Sequence, residues 1–146
     1  MFSQTVEYAL RAMVVLANHP QSPQTAHSIA SVSQVPVDYL FKVLQSLNRS
    51  DLVAAQRGKH GGFTLARNAS EVTILQIINA VDPIRRIRFC PLGIKSHGTH
   101  LCALHRKLDA ALQSIEHTFG TTTLAEMLQE PAPYQPLCEG LVQVHA

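Results

Sequence analysis

The chain has 146 residues, room for one domain with a buried core or for a small domain carrying a long arm. A hydrophobic content of 46% excludes a disordered chain, and no apolar run approaches the ~20 residues of a membrane-spanning helix. The formal charge of +2 does not by itself single out nucleic acid, and the odd count of three cysteines argues against a disulfide framework, leaving packing, metal ligation or redox sensing.

Met1-Phe2-Ser3-Gln4 lacks the basic start and apolar core of a secretory signal, which points to a cytoplasmic protein. Ser3 to Asn18 then reads as a helix with Val6, Ala9, Leu10, Met13, Val14 and Ala17 on one face, closed by His19-Pro20. Thr25 is an N-cap candidate for a second helix to Ser33 with Ala26, Ile29 and Ala30 inward. Gln34-Val35-Pro36 breaks the pattern, and Pro36 suits the first turn of a new helix. There Val37, Leu40, Leu44 and Leu47 recur on one face, and Asp38, Lys42, Gln45 and Arg49 on the other.

Two short apolar-alternating runs follow, Val53-Ala54-Ala55-Gln56 and Phe63-Thr64-Leu65-Ala66, around the tip Arg57-Gly58-Lys59-His60-Gly61-Gly62. Strand-like runs around a glycine-rich tip predict a β-hairpin. Arg57, Lys59 and His60 make that tip basic, and residues 42 to 67 carry five Lys or Arg against Asp51, a local +4. Such a tip suits a nucleic-acid groove, where phosphates supply much of the binding energy and a narrow minor groove attracts Arg. Helix, tight turn, helix and basic hairpin in this order predict a winged helix-turn-helix with the second helix as groove reader. The plainer alternative is a small helical domain that merely has a polar face and a hairpin.

Thr73-Ile74-Leu75-Gln76 is a capping box opening a helix with Ile74, Ile77, Ile78 and Val81 inward, ended by Asp82-Pro83. Residues 84 to 100 show no period and read as a loop long enough to be functional; Arg85, Arg86, Arg88 and Lys95 in it form a basic cluster, whose plain reading is a solvated loop. Leu101 to Phe119 is the longest helical pattern, about 28 Å long, with Leu101, Leu104, Leu108, Ala111, Leu112, Ile115 and Phe119 in one stripe. The stripe suits pairing with a second copy, or folding back on its own domain. Gly120 reads as its C-cap, and Thr123-Leu124-Ala125-Glu126 as a second capping box for a short helix to Gln129. The tail from Pro131, with Pro133 and Pro136, reads as loosely ordered.

Cys90, His97, His100, Cys102 and His105 fall within sixteen residues. Cys102 and His105, three apart at the start of the long helix, share a face, and a helix N-terminus favours a thiolate. Thiolate and imidazole suit zinc or an iron–sulfur cluster; buried packing cysteines and solvated histidines are the alternative. Cys138 in the tail reads as incidental.

Glu7-Tyr8-Ala9-Leu10-Arg11-Ala12-Met13, Asp38-Tyr39-Leu40, the wing Arg57 to Phe63, Ile74 to Asp82 and Thr123 to Leu128 together resemble the bacterial IscR/NsrR family of winged-helix transcription regulators over roughly residues 1 to 129. The resemblance implies a homodimer that binds near-palindromic double-stranded operators. It also implies a cluster held by loop cysteines that senses iron–sulfur, redox or nitric-oxide status. Cys90 and Cys102 match the first and third cluster cysteines, His105 the histidine of one branch, and Glu7 an acidic ligand that another branch recruits from the partner subunit. The middle cysteine position falls on Ser96, a poor cluster ligand, with His97 and His100 as substitutes; some members bind DNA with no cluster.

The expected fold is mainly α with a small β-hairpin wing: a winged helix-turn-helix at 1–82, a sensor loop at 83–100, a dimerisation helix and short closing helix at 101–130, and a Pro-rich tail at 131–146. The expected DNA-binding residues are Asp38, Tyr39, Lys42, Arg57, Lys59 and His60. The expected metal ligands are Cys90, Cys102, His105 and Glu7, for an iron–sulfur cluster, or zinc, or no cofactor at all. The rivals are a winged-helix protein-interaction module and a thiol-dependent enzyme using Cys102 and His105. No oxyanion-hole or substrate-pocket motif supports the latter.

Overall fold

The computed structural model describes residues 2–98, 100–131 and 133. The Pro-rich tail beyond these, including Pro136 and Cys138, lies outside the described residues. Helix α1 (Gln4–Ala17) is capped by Ser3, whose Oγ accepts the Val6 N–H at 3.4 Å. One buried face was expected. Instead Ala12, Met13, Val14, Val15 and Leu16 are each fully buried. Successive helical residues sit 100° apart, so five in a row cover the whole circumference. The reason is tertiary: four of the helices that follow and one strand of the wing pack against α1.

Helix α2 (Ala26–Ser33) is capped by Thr25, whose Oγ1 accepts the Ser28 N–H at 3.1 Å. The chain reverses through Gln34 in the left-handed region (φ 55), and Val35 donates its N–H to Ala30 O at 3.1 Å and buries its side chain. This is a left-handed C-cap with its apolar follower. Pro36 occupies the N-cap of α3 (Val37–Arg49) rather than its first turn, its carbonyl accepting the Leu40 N–H at 3.0 Å. Helix α3 buries Leu40, Val43, Leu44 and Leu47.

Strands β1 (Val53–Gln56) and β2 (Gly62–Leu65) pair antiparallel with Val53 opposite Leu65 and Gln56 opposite Gly62. The second strand begins one residue earlier than the alternation suggested and stops before Ala66. A third partner explains the shift: Gln24 and Phe63 exchange both backbone N–H···O bonds, at 2.8 and 2.9 Å. At Gly62 (φ 147) a Cβ would lie 2.6 Å from Gln24 O, so only glycine admits this approach. The wing is thereby tied to the residue that precedes the α2 cap.

A short 3-10 turn (Ala69–Glu71) leads into α4 (Ile74–Val81), and both expected capping boxes form, Thr73 with Gln76 and Thr123 with Glu126. They lie side by side: Ile74 N–H donates to Thr122 O at 3.0 Å and Leu124 N–H to Val72 O at 2.8 Å. Leu124 of α6 (Leu124–Gln129) is thus fully buried in the core shared with α1.

Helix α5 (Ala103–Gly120) starts two residues after the predicted Leu101, with Cys102 at its N-cap. Gly120 is its last helical residue and Thr121 the C-cap, correcting the expected glycine cap. The glycine serves close packing instead, since a Cβ there would meet Leu75 Cδ2 at 3.3 Å. The apolar stripe of α5 divides. Leu112 and Ile115 line a small cavity of about 160 Å³ with Phe2, Val6 and Ile84, and Phe119 packs edge-on against Phe2 at 5.7 Å. Leu104 and Leu108 stay 63% and 46% exposed.

The segment after α4 is fastened to α5 by one guanidinium. Arg86 donates from Nε and Nη2 to the two carboxylate oxygens of Asp109, both at 2.7 Å, and from Nη1 to Glu116 at 2.9 Å; the Ile87 N–H adds a bond to Asp109 at 2.9 Å. The basic cluster read as solvated is therefore split: Arg86 is paired and half-buried, while Arg85, Arg88 and Lys95 are exposed. The hydrogen bonds from Arg86 lower the Asp109 carboxyl from its ordinary 3.8 to about 2. A depressed folded pKa gives stability that is present above the unfolded value and is lost as pH falls from about 4 towards 2. Across that window the melting temperature of the wild type is expected to drop more steeply than that of Asp109→Asn. Parallel pH–melting curves would show that the clamp does not couple to folding.

Candidate functional site

All six expected DNA-binding residues are exposed and lie on the two projecting elements. Asp38, Tyr39 and Lys42 occupy the first two turns of α3, and Arg57, Lys59 and His60 the turn between β1 and β2. Four buried side chains fix the α3 face opposite Asp38, Lys42, Gln45 and Arg49, so those four point outward together. Tyr39 is braced by Tyr8 of α1, edge-on at 6.0 Å between ring centroids, and the Lys42 Nζ lies 5.7 Å from the Tyr39 centroid. Arg11 stands 6.0 Å from the Tyr8 ring, so the N-terminal end of α3 is flanked by two cations and two aromatic rings.

The wing is held against α3 by Asn48, which donates from Nδ2 to Val53 O at 2.8 Å. A groove of about 430 Å³ runs between them, lined by Phe41, Lys42, Gln45, Asn48, Arg57 and Phe63 among others. Phe41 was not among the expected site residues, because an apolar residue inside a helix reads as core. It is 48% exposed. The signal was present in the spacing: Phe41 stands one residue, hence 100°, off the Leu40, Leu44 and Leu47 stripe. Its ring meets His27 of α2 edge-on at 6.4 Å. The site therefore joins cationic side chains at two levels, helix and wing, across a partly apolar cleft. That arrangement fits the phosphates and base edges of a duplex better than it fits a small substrate.

The loop residues converge less. Cys102 and His105 meet, Sγ to Nδ1 3.3 Å, at the start of α5. Cys90 and Cys102 are half-buried free thiols, and His100 is exposed. Among the described residues no group of three or more His, Cys, Asp or Glu is placed to hold a metal ion, so Cys90 and Glu7 are not brought to the Cys102–His105 pair within one chain. Two atoms nonetheless fit a ligand role. Oε2 of Glu7, in the first turn of α1, and Nδ1 of His97 are buried with no hydrogen-bond partner. Buried polar atoms are seldom left so. Thiol, imidazole and carboxylate donors also match what an iron–sulfur cluster or zinc accepts.

None of the helices among the described residues is long and apolar enough to cross a membrane. Residues 2–130 match the sequence pattern of the Rrf2 family of iron-dependent transcriptional regulators. Among solved structures the chain is similar to IscR of T. potens, with 26% identity over 88% of this chain and 85% of that one and a TM-score of 0.73. CymR, the global cysteine regulator of B. subtilis, superposes with a TM-score of 0.73 at 23% identity, covering 86% of this chain and 94% of its own. CymR of Staphylococcus aureus gives 0.70 at 22% identity over 89% and 99%. The mainly helical fold with a two-stranded wing is thus shared with these regulators. With nearly its whole length matched, the chain belongs to the Rrf2 family and is a DNA-binding transcription regulator.

Proposed function

We propose that the protein acts as a homodimer that reads a two-fold operator. Helix α3 enters the major groove with Asp38, Tyr39 and Lys42 towards base edges and phosphates, and the wing residues Arg57, Lys59 and His60 lie on the adjacent minor groove or backbone. The observation that carries this reading is the common exposure of these six side chains on one helix whose opposite face is buried in the core and on the tip of a hairpin that packs on that core through Val53, Phe63 and Leu65. The division into a DNA-reading unit (1–82), sensor loop (83–100), dimer helix with closing helix (101–130) and tail (131–146) belongs to the same proposal. Exposed Leu104 and Leu108 on α5 support the dimer, because a second copy would cover an apolar face that this chain leaves open.

The sensing group is an iron–sulfur cluster, or failing that zinc, held by Cys90, Cys102 and His105. Glu7 of the partner subunit, His97 or His100 completes the set. A cluster bound there would supply a redox-reactive group at the N-terminus of the dimer helix. Within the chain, the Cys102–His105 pair sets two donors together at the N-terminus of α5, and the orphaned Glu7 and His97 atoms supply further donors. The loop also runs directly from the Arg86 clamp to the start of α5. A change in its shape can therefore bias how two α5 helices, and with them two wings, are spaced, a population shift between dimer geometries.

Three outcomes test this reading. Arg57→Ala should weaken duplex binding without unfolding the protein and reduce the magnitude of the log K against log salt slope by about one unit, the worth of one phosphate contact. Mobility shifts over a salt series measure it, and an unchanged slope removes Arg57 from the interface. Leu108→Glu should weaken self-association by roughly 100-fold, since it places a charge in an apolar seam. Sedimentation at micromolar concentration reports this, and a monomeric wild type overturns the dimer. Cys102→Ala should abolish bound iron or zinc in protein purified without oxygen and alter operator affinity, whereas Cys138→Ala should do neither. Metal-free wild type with affinity indifferent to Cys102→Ala places the chain among regulators that bind DNA without a cluster.

A further inference from the structure

We infer that Phe41 is a specificity residue that recognises the 5-methyl group of a thymine in each half of the operator. This deepens the proposed seating of α3 in the major groove and rests on it. Phe41 stands on the flank of α3 turned towards the wing, nearly half exposed, in the cleft that Lys42, Gln45 and Arg57 also line. Its neighbours there divide the work of binding. Lys42 and Arg57 have the charge to meet phosphates, Gln45 has an amide able to pair with a base edge, and Asn48 is already committed to Val53 O. A phenyl ring can do neither. It gains nothing from phosphate and has no donor or acceptor for a base. The one apolar feature that a base pair presents in the major groove is the thymine methyl, and apolar side chains, Phe among them, meet it by contact.

Two further observations fit this role. Leu44, Ala55 and Phe63 also line the cleft, so a methyl group seated on Phe41 has apolar neighbours besides that ring. The Phe41 ring is also held edge-on by His27 at 6.4 Å and an interplanar angle of 80°. It is therefore partly ordered before binding, which lowers the entropy lost on contact. The cations beside the ring favour a polyanion over an apolar protein surface as the occupant, and a single ring is too small a patch to anchor a protein partner.

Deoxyuridine provides the test, because it differs from thymidine only by that methyl. Binding sequences are first selected from a randomised duplex with the purified protein, and each thymine of the recovered consensus is then replaced in turn by deoxyuridine. For the wild type, one position per half-site should lose about 4-fold in affinity, the worth of one buried methyl group. Phe41→Ala should bind the thymidine and deoxyuridine duplexes equally at that position while keeping the preferences at all others, which also reports that it is folded. Phe41→Leu should retain part of the discrimination. If no thymine is sensitive in the wild type, or if Phe41→Ala remains as sensitive as the wild type, the assignment of Phe41 is overturned with the major-groove seating intact. Selection that yields no consensus overturns the seating itself, and the inference with it.

Discussion

The DNA-binding half of the fold and the closing helix α6 depend on the burial of α1. Its second half, Ala12 to Leu16, is enclosed on all sides, so each packing element meets it along a different direction. Full burial of a Val, Leu or Met side chain is worth about 1.5–3 kcal/mol, and α1 contributes Met13, Val14, Val15 and Leu16 in sequence. The two helices of the reading motif, the wing strand and α4 take their positions from this one rod. Closing helix α6 reaches it as well, with Leu124 in the same core. The spacing between α3 and the wing, which sets what the site can grip, follows from a common support rather than from contacts between them alone.

Two small backbone devices set helix α3 and the wing on that support. The left-handed Gln34 turns the chain sharply enough for α3 to cross α2, and the exchange of hydrogen bonds between Gln24 and Phe63 ties the wing to the start of α2. With Asn48 holding β1 to the far end of α3, helix and hairpin are linked at both ends of the cleft. Exposed charge is then carried on rigid elements, and little ordering is left to be done on binding.

Helix α5 is attached by electrostatics as well as by apolar packing. No side chain of α5 is fully buried, and its link to the segment after α4 is the fork of Arg86 onto Asp109 and Glu116, a bidentate geometry that fixes direction as well as distance. One end of α5 is anchored through Phe119 and Gly120, while Leu104 and Leu108 near the other end leave their side chains open.

The sequence by itself determined the local structure and its order. Caps at Thr25, Thr73 and Thr123, the break at Pro36 and the glycine-rich hairpin are signals read within a few residues, because capping and turn chemistry act over that range. The α3 polar face was legible for the same reason, since helical spacing alone puts Asp38, Lys42, Gln45 and Arg49 on one side. Tertiary structure alone decided three things: the burial of α1 on every side, the start of β2 at Gly62 against Gln24, and the pairing of Arg86 with Asp109 twenty-three residues away. Each depends on a partner distant in sequence. No local pattern shows on how many sides a helix will be covered, nor distinguishes a charged residue that will find a mate from one that will stay in water.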